Sequence, residues 1–237
     1  MSRSTESKAT SLRRRHLTGK PGPTNKESEY LEVIYYLSAR NEPVIAARLA
    51  KWMGVQPPTV THIVKQLEEK ELIRRDNKNE ISFTPEGFQL AEAMVRRHRI
   101  LERFLVDIMQ IPWEHIHDEA VRLEHALSPL MEARISELVG ESKTCPHGNP
   151  IPGNSDFFPG DVRLDQAPSD RYFIVQRIVE EAEEDSNLIR YIQTNGLVPG
   201  ARFLVSDNST FGVTLACENK SISISSEIAA FIWGDLD

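Results

Sequence analysis

The sequence predicts a mainly α-helical protein that ends in a small β domain, and three observations carry that prediction. Within residues 26–67, apolar side chains recur at helical spacing in three short stretches. Residues 96–125 continue as a longer helical pattern, bent at Ile111-Pro112 and crowded with His and Glu. Beyond residue 170 the period changes, and Ser and Ile alternate with period two in residues 221–225. A chain of 237 residues, 40% of them hydrophobic, can bury cores in two modest domains.

Residues 1–24 hold six basic residues (Arg3, Lys8, Arg13, Arg14, Arg15 and Lys20) against Glu6 alone, with almost no apolar periodicity. They read as a disordered basic arm able to make a few nonspecific phosphate contacts. In residues 26–40, Tyr30, Leu31, Ile34, Tyr35 and Leu37 line one face of a helix, with Glu29 and Glu32 set away from most of them. Residues 44–54 form a second, shorter amphipathic helix, which Gly54 can close in the left-handed conformation. A third helix opens on Pro57 and Pro58, where no amide donor is needed. There Val60, Ile63, Val64 and Leu67 face inward, leaving Thr59, Thr61, His62 and Lys65 outward.

Two short helices joined by a Gly turn, the second presenting small polar and basic residues, make a helix-turn-helix. The run from Ile73 to Thr84 has apolar ends around a polar turn, which predicts a hairpin and hence a wing. Thr84 and Pro85 then suit the N-cap and first position of the next helix. This places a winged-helix DNA-binding domain at residues 25–91, with Gln56, Pro58, Thr59, Thr61 and His62 near bases or phosphates and Lys65, Arg74 and Arg75 favouring the backbone.

The net charge of −7 would argue against a nucleic-acid partner, but residues 151–237 alone hold fourteen acids against six bases. The acidity therefore sits far from the helix-turn-helix. No apolar run nears the roughly 18 to 20 residues that span a bilayer, so a cytoplasmic protein is expected. Two cysteines, Cys145 and Cys217, are too few for a disulfide framework.

In the bent stretch, His98 and Glu102 are four apart and share a helical face. His117, Glu124 and His125 gather imidazole and carboxylate on the following segment. Spacing alone leaves two readings open, a metal clamp or a solvated face in which Glu102 pairs with Arg99 or Arg103.

The run from Tyr30 to Pro152 includes PPTVTHIVKQLEEKELI, ISFTPEGFQLAEAMVRRHRILERFLVDIM, HDEAVRLEHALS and CPHGNPIP. It resembles the diphtheria-toxin-repressor and manganese-transport-regulator family of metal-dependent repressors. The resemblance implies a helical dimerisation and metal-binding domain at residues 92–152. It also implies a homodimer that binds palindromic operator DNA when loaded with Mn(II) or Fe(II), without a small-molecule substrate. It assigns His98, Glu102 and His117 to an ancillary site and Glu124 and His125 to a second site, to which Glu29 and Glu32 would add carboxylates from the first helix. Val121 stands where iron-type members have Cys and manganese-type members Glu, which leaves that second site one ligand short. CPHG is similar to the streptococcal-type manganese regulators, and so adds Cys145 and His147 to the ancillary site.

Residues 153–170 are rich in Pro, Gly and Asp and are expected to be a linker. Residues 171–237, with LIRYIQTNGLVPGARFLV, resemble the SH3-like iron-transport-associated (FeoA-like) domain of longer family members. The acidic run before its helix reads as a cap of that helix; the resemblance implies instead that this region lends ligands to the ancillary site, with Glu184, Asp185 or Asn187 the candidates by position. The carboxylate-rich second site favours Mn(II), with Fe(II) the alternative, while the thiol site would hold Zn(II) or Co(II) more tightly in vitro. A hydrolytic metalloenzyme would need an open coordination position and a general base, and no HExxH, phosphate loop or nucleophile elbow is present. A metal buffer would have no use for PPTVTHIVKQL.

Overall fold

The computed structural model describes residues 22–40, 43–155, 160–217 and 220–237. Most of the basic arm thus lies outside the described residues, although Gly22 to Thr24 are included. The chain divides into two compact units, residues 1–91 and 92–237.

The first described helix of the N-terminal unit starts from Thr24, a residue that the sequence assigns to the arm. Its side chain accepts from the Glu27 amide while the Glu27 carboxylate accepts from the Thr24 amide, a reciprocal cap that starts α1, Asn25–Ser38. Helix α2, Ala46–Trp52, gives way to left-handed Gly54 (φ 60°), and α3, Pro57–Glu69, starts on the two prolines. Strands β1, Ile73–Arg75, and β2, Ile81–Phe83, form the antiparallel hairpin, and the Ile81 amide donates to the Val44 carbonyl at 2.8 Å. Tyr30, Leu31, Ile34, Leu37, Leu49, Val60, Leu67 and Ile81 are buried as the core. Each apolar side chain withdrawn this way is worth about 1.5–3 kcal/mol. Lys70 joins the end of α3 to α1 through Glu27 at 2.6 Å.

Helix α4, Pro85–Asp107, starts under Thr84, whose hydroxyl accepts from the Gly87 amide, and carries the chain into the second unit. It stops short of the expected bend, where Gln110 takes a φ of 55° and Pro112 caps α5, Trp113–Glu124. Helix α6, Pro129–Val139, follows. Ile100, Leu101, Leu105, Ile116, Ala120, Ile135 and Ile151 form one apolar cluster among these helices. No helix of the described residues is long and apolar enough to cross a membrane.

The sheet of this unit takes β3, Val162–Arg163; β4, Arg171–Ile178; β5, Arg202–Ser209; β6, Gly212–Cys217; β7, Lys220–Ser225; and β8, Ile232–Leu236. All pair antiparallel in the order β3-β8-β4-β5-β6-β7, with α7, Ser186–Thr194, after β4 and the short α8, Ser226–Ala229, before β8. The expected linker is therefore too long at its C-terminal end. Val162 and Arg163 pair with Gly234 and Trp233, and Leu164 is wholly buried in the sheet's core. Two residues are too few to show a period, so composition alone hides this strand.

The turn over residues 145–148 hooks onto the sheet. The Ile178 amide donates to the His147 carbonyl at 2.8 Å, and the Asn149 side-chain amide donates to the Ile178 carbonyl at 2.7 Å. Gly148 (φ 89°) makes this approach possible, since a Cβ there would lie 2.0 Å from the Gln176 carbonyl oxygen. Helical and sheet parts of residues 92–237 are thus one unit.

Candidate metal centre

Four separate segments of the second unit deliver polar side chains to one buried place. Helix α4 brings His98 and Glu102, α5 brings His117, the hooked turn brings Cys145 and His147, and the end of a 3-10 turn, Glu180–Ala182, brings Glu183. The ligand atoms of His98, Glu102, His117 and Glu183 all lie within 4.8 Å of one another, as do those of Glu102, Cys145, His147 and Glu183. All but the half-buried His117 are buried. His147 Nδ1 stands 2.9 Å from Glu183 Oε1 and 3.6 Å from Glu102 Oε1; His117 Nδ1 is 3.3 Å from Glu183 Oε2; His98 Nε2 is 3.5 Å from Glu102 Oε1.

Close approach here does not mean hydrogen bonding. Among the described residues, His98 Nε2, Glu102 Oε1, His117 Nδ1, both His147 ring nitrogens and both Glu183 oxygens have no hydrogen-bond partner. Each such buried group costs roughly 1–3 kcal/mol, more when charged. A divalent cation satisfies donor atoms of this kind together, and imidazole, carboxylate and thiolate are the ligands that transition ions take. The residues fit a metal.

Burial and the neighbouring charges oppose one another at each donor. Burial disfavours charge on His98 and His147, yet Glu102 with Glu124 in the first case, and Glu183 with Glu102 in the second, outweigh it and raise both pKa values well above the usual range. Burial also opposes the Glu102 charge, but His147 and His98 hold its carboxyl well below the ordinary carboxylate value. Glu183 is lowered too, as His147 and His117 overcome burial and the nearby Glu102 charge. Burial, helped by the Glu102 charge, pushes the Cys145 thiol up to about 11.

A surrounding set of contacts orients the donors. His98 Nδ1 is 3.0 Å from Glu124 Oε2, which turns Nε2 toward Glu102; such carboxylate partners of ligating histidines set ring orientation. Arg99, 1% exposed, donates to the Pro150 carbonyl and to Glu180, and Arg103 Nε donates to the Thr144 carbonyl at 3.0 Å. Neither arginine neutralises Glu102, contrary to the solvated-face reading. The Trp113 ring meets His147 edge-on, with centroids 4.7 Å apart.

In the acidic run of the third domain the structure departs from the sequence expectation. Glu184 is more than half exposed, with its Oε1 3.9 Å from His117 Nε2, on the outer side of that ring. Asp185 caps α7 by accepting from the Asn187 and Leu188 amides, and Asn187 is exposed. Glu183 enters the centre instead. Of the residues expected at the second site, Glu124 is buried beside His98, His125 lies exposed at the end of α5 with Nε2 3.4 Å from Glu124 Oε1, and Val121 is half-buried. Glu29 and Glu32 belong to α1 of the other unit, where Glu29 pairs with Lys26 at 2.6 Å and Glu32 is buried.

Comparison with known proteins supplies the family. Residues 24–79 match the iron dependent repressor N-terminal DNA binding domain, 84–153 its metal binding and dimerisation domain, and 162–235 the FeoA domain. The iron-dependent repressor IdeR of Mycobacterium leprae is 34% identical over 197 residues, 78% of this chain and 86% of that protein. The chain belongs to the diphtheria-toxin-repressor and manganese-regulator family of metal-dependent transcriptional repressors. Among solved family structures, a manganese-dependent transcriptional repressor complex with manganese superposes with a TM-score of 0.75 at 31% identity, over 88% of this chain and 98% of that one. The manganese regulator SloR gives 0.75 at 26% identity, over 89% and 98%. These relatives mark a regulator rather than an enzyme.

The family's DNA-binding domain presents the α3 residues in the N-terminal unit. Gln56 at the N-cap, Pro58, Thr59, Thr61, His62 and Lys65 are all exposed. Thr61 returns its hydroxyl to the Pro57 carbonyl at 3.0 Å, and Lys65 pairs loosely with Glu69 at 3.8 Å. On the wing, Arg74 donates to Ser82, whereas Arg75 is held by both carboxylate oxygens of Glu68. Arg75 thus docks the wing on α3 in addition to any phosphate contact.

Proposed function

We propose that the protein is a cytoplasmic, Mn(II)-activated repressor that binds palindromic operators as a homodimer. The observation that carries the metal dependence is the buried set of donor atoms without hydrogen-bond partners, in the same chain as an exposed polar recognition helix. An ion held by Glu102, Cys145, His147 and Glu183, with His98 and His117 beside them, ties α4, α5, the hooked turn and the sheet domain into one arrangement. Narrowing the apo ensemble in this way raises operator affinity by population shift, and a 100-fold gain corresponds to about 2.7 kcal/mol. The second ligand set, Glu124 and His125 with Glu29 and Glu32, rests on the family resemblance.

Exposed apolar side chains support the dimer. Leu130, Met131 and Leu138 of α6, with Ile108 and Met109 just after α4, remain 48–70% exposed. A two-fold dimer sets its recognition helices about 34–36 Å apart, which calls for a palindrome.

An iron-activated repressor is the second reading, favoured by the Cys145 thiol and by the relatives named iron-dependent. Gel shifts on palindromic fragments from upstream of metal-transporter genes, with and without Mn(II), test the function. Metal-dependent retardation is expected, and its loss in His98→Ala/Glu102→Ala; retardation indifferent to metal sinks the proposal. Anaerobic titrations with chelator-buffered Mn(II) and Fe(II) decide between the ions.

A further inference from the structure

We propose that the centre takes two divalent cations per chain, bridged by the Glu102 and Glu183 carboxylates, instead of one. The inference rests on the metal-activated reading above and extends it to the centre's stoichiometry.

The donor atoms fall into two sets of four that share Glu102 and Glu183. One set adds His98 and His117, whose ring centroids are 5.0 Å apart; the other adds Cys145 and His147. The Glu183 carboxylate is divided between them, Oε1 facing His147 Nδ1 at 2.9 Å and Oε2 facing His117 Nδ1 at 3.3 Å. Glu102 Oε1 stands between the sets as well, 3.5 Å from His98 Nε2 and 3.6 Å from His147 Nδ1. A carboxylate with one oxygen toward each of two ligand groups is placed as a bridge.

One ion at the thiol end leaves the buried His98 Nε2 and the His117 Nδ1 without partners, and one ion at the imidazole end does the same to His147. Two ions give every one of these residues a metal bond. As the Cys145 sulfur–metal bond forms, its proton passes to solvent. The two ends differ in chemistry: two nitrogens with carboxylate oxygen suit Mn(II) or Fe(II), and the end with thiolate prefers softer ions such as Co(II) or Zn(II). A mixed pair is therefore accommodated as readily as a matched one.

The test uses the full chain, loaded with Mn(II) or Co(II) alone, and four proteins: wild type, Cys145→Ser, His117→Gln and the centre-disabled Glu102→Gln/Glu183→Gln. Ions bound per chain are counted by equilibrium dialysis, so that any second site contributes equally to all. Wild type is expected to bind two more ions than the centre-disabled protein, and each single variant one more. Mn(II)-loaded wild type should show an exchange-coupled electron paramagnetic resonance spectrum that both single variants lack. The thiolate-to-Co(II) charge-transfer band should persist in His117→Gln and vanish in Cys145→Ser. A wild-type excess of only one ion, or spectra of isolated Mn(II) throughout, overturns the two-ion centre. Gel shifts on the same wild-type preparation keep the readings apart. Metal-dependent operator binding with a one-ion count removes this inference and leaves the repressor; metal-independent binding removes the repressor whatever the count.

Discussion

The outer face of α3 and the centre between α4, α5 and the sheet are built from similar side chains in opposite surroundings. Thr59, Thr61, His62 and Lys65 are exposed, so water satisfies them at no folding cost and they are available to another polar surface. Glu102, Cys145, His147 and Glu183 are buried, and several of their polar atoms face one another without hydrogen bonds. The first region is stable without a ligand; the second carries a folding cost that a bound cation would offset. A polar residue's meaning therefore lies in whether it is solvated, and a regulator needs both kinds.

The contrast is broken most severely by removing a shared carboxylate. Glu183→Ala should weaken metal binding by more than about 100-fold, because loss of an outer partner alone costs roughly 10–100-fold; competition with a chelating dye measures it, and wild-type affinity would exclude Glu183 as a ligand. Gly148→Ala comes next. Its Cβ would strike the Gln176 carbonyl in a left-handed backbone, so a loss of about 2–4 kcal/mol is expected in urea unfolding of the metal-free protein.

Proton linkage sharpens the buried side. With its thiol near 11, Cys145 is protonated at neutral pH and must release that proton to bind metal, so affinity rises with pH. Calorimetry in buffers of different ionisation enthalpy should find fewer protons released by Cys145→Ser than by wild type, the thiol proton at the least. In the N-terminal unit, burial opposes the Glu27 charge but Lys70 and Thr24 outweigh it, holding its pKa below the unfolded value. Its contribution, about 1.5–3 kcal/mol for a charged hydrogen bond, is therefore present above the unfolded pKa and disappears as pH falls through the folded one. Glu27→Gln should flatten the acid limb of the stability profile. The smallest effect belongs to the exposed face: Lys65→Ala should weaken operator binding about equally for all sequences and reduce the salt slope by about one.

Several parts of this molecule are legible because their signals are local. Apolar residues at helical spacing define α1 and α3, Pro57 and Pro58 mark a helix start, and His98 with Glu102 shows a shared face from four-residue spacing alone. The two-residue β3 had too little length to carry a period, and its partner β8 lies about seventy residues away in the chain. The acidic run from Glu180 to Asp185 offered five carboxylates of similar character, and position favoured Glu184, Asp185 or Asn187 over Glu183. A short Asp beside a helix start reaches its own backbone amides, which was the available hint that Asp185 is a cap.

By itself, then, the sequence determined the helix-turn-helix, the wing, the helical hub and most of the residue types gathered at the candidate metal centre, since periodicity, caps and motif spacing act within a few residues. Tertiary structure alone decided that the turn at Cys145 to Gly148 is pinned to β4, that Arg99 holds Glu180 instead of Glu102, and that Glu183 turns inward with one oxygen toward each imidazole group. Those outcomes depend on which surfaces exclude water once the sheet packs on the helices, and burial of that kind is a property of the whole unit.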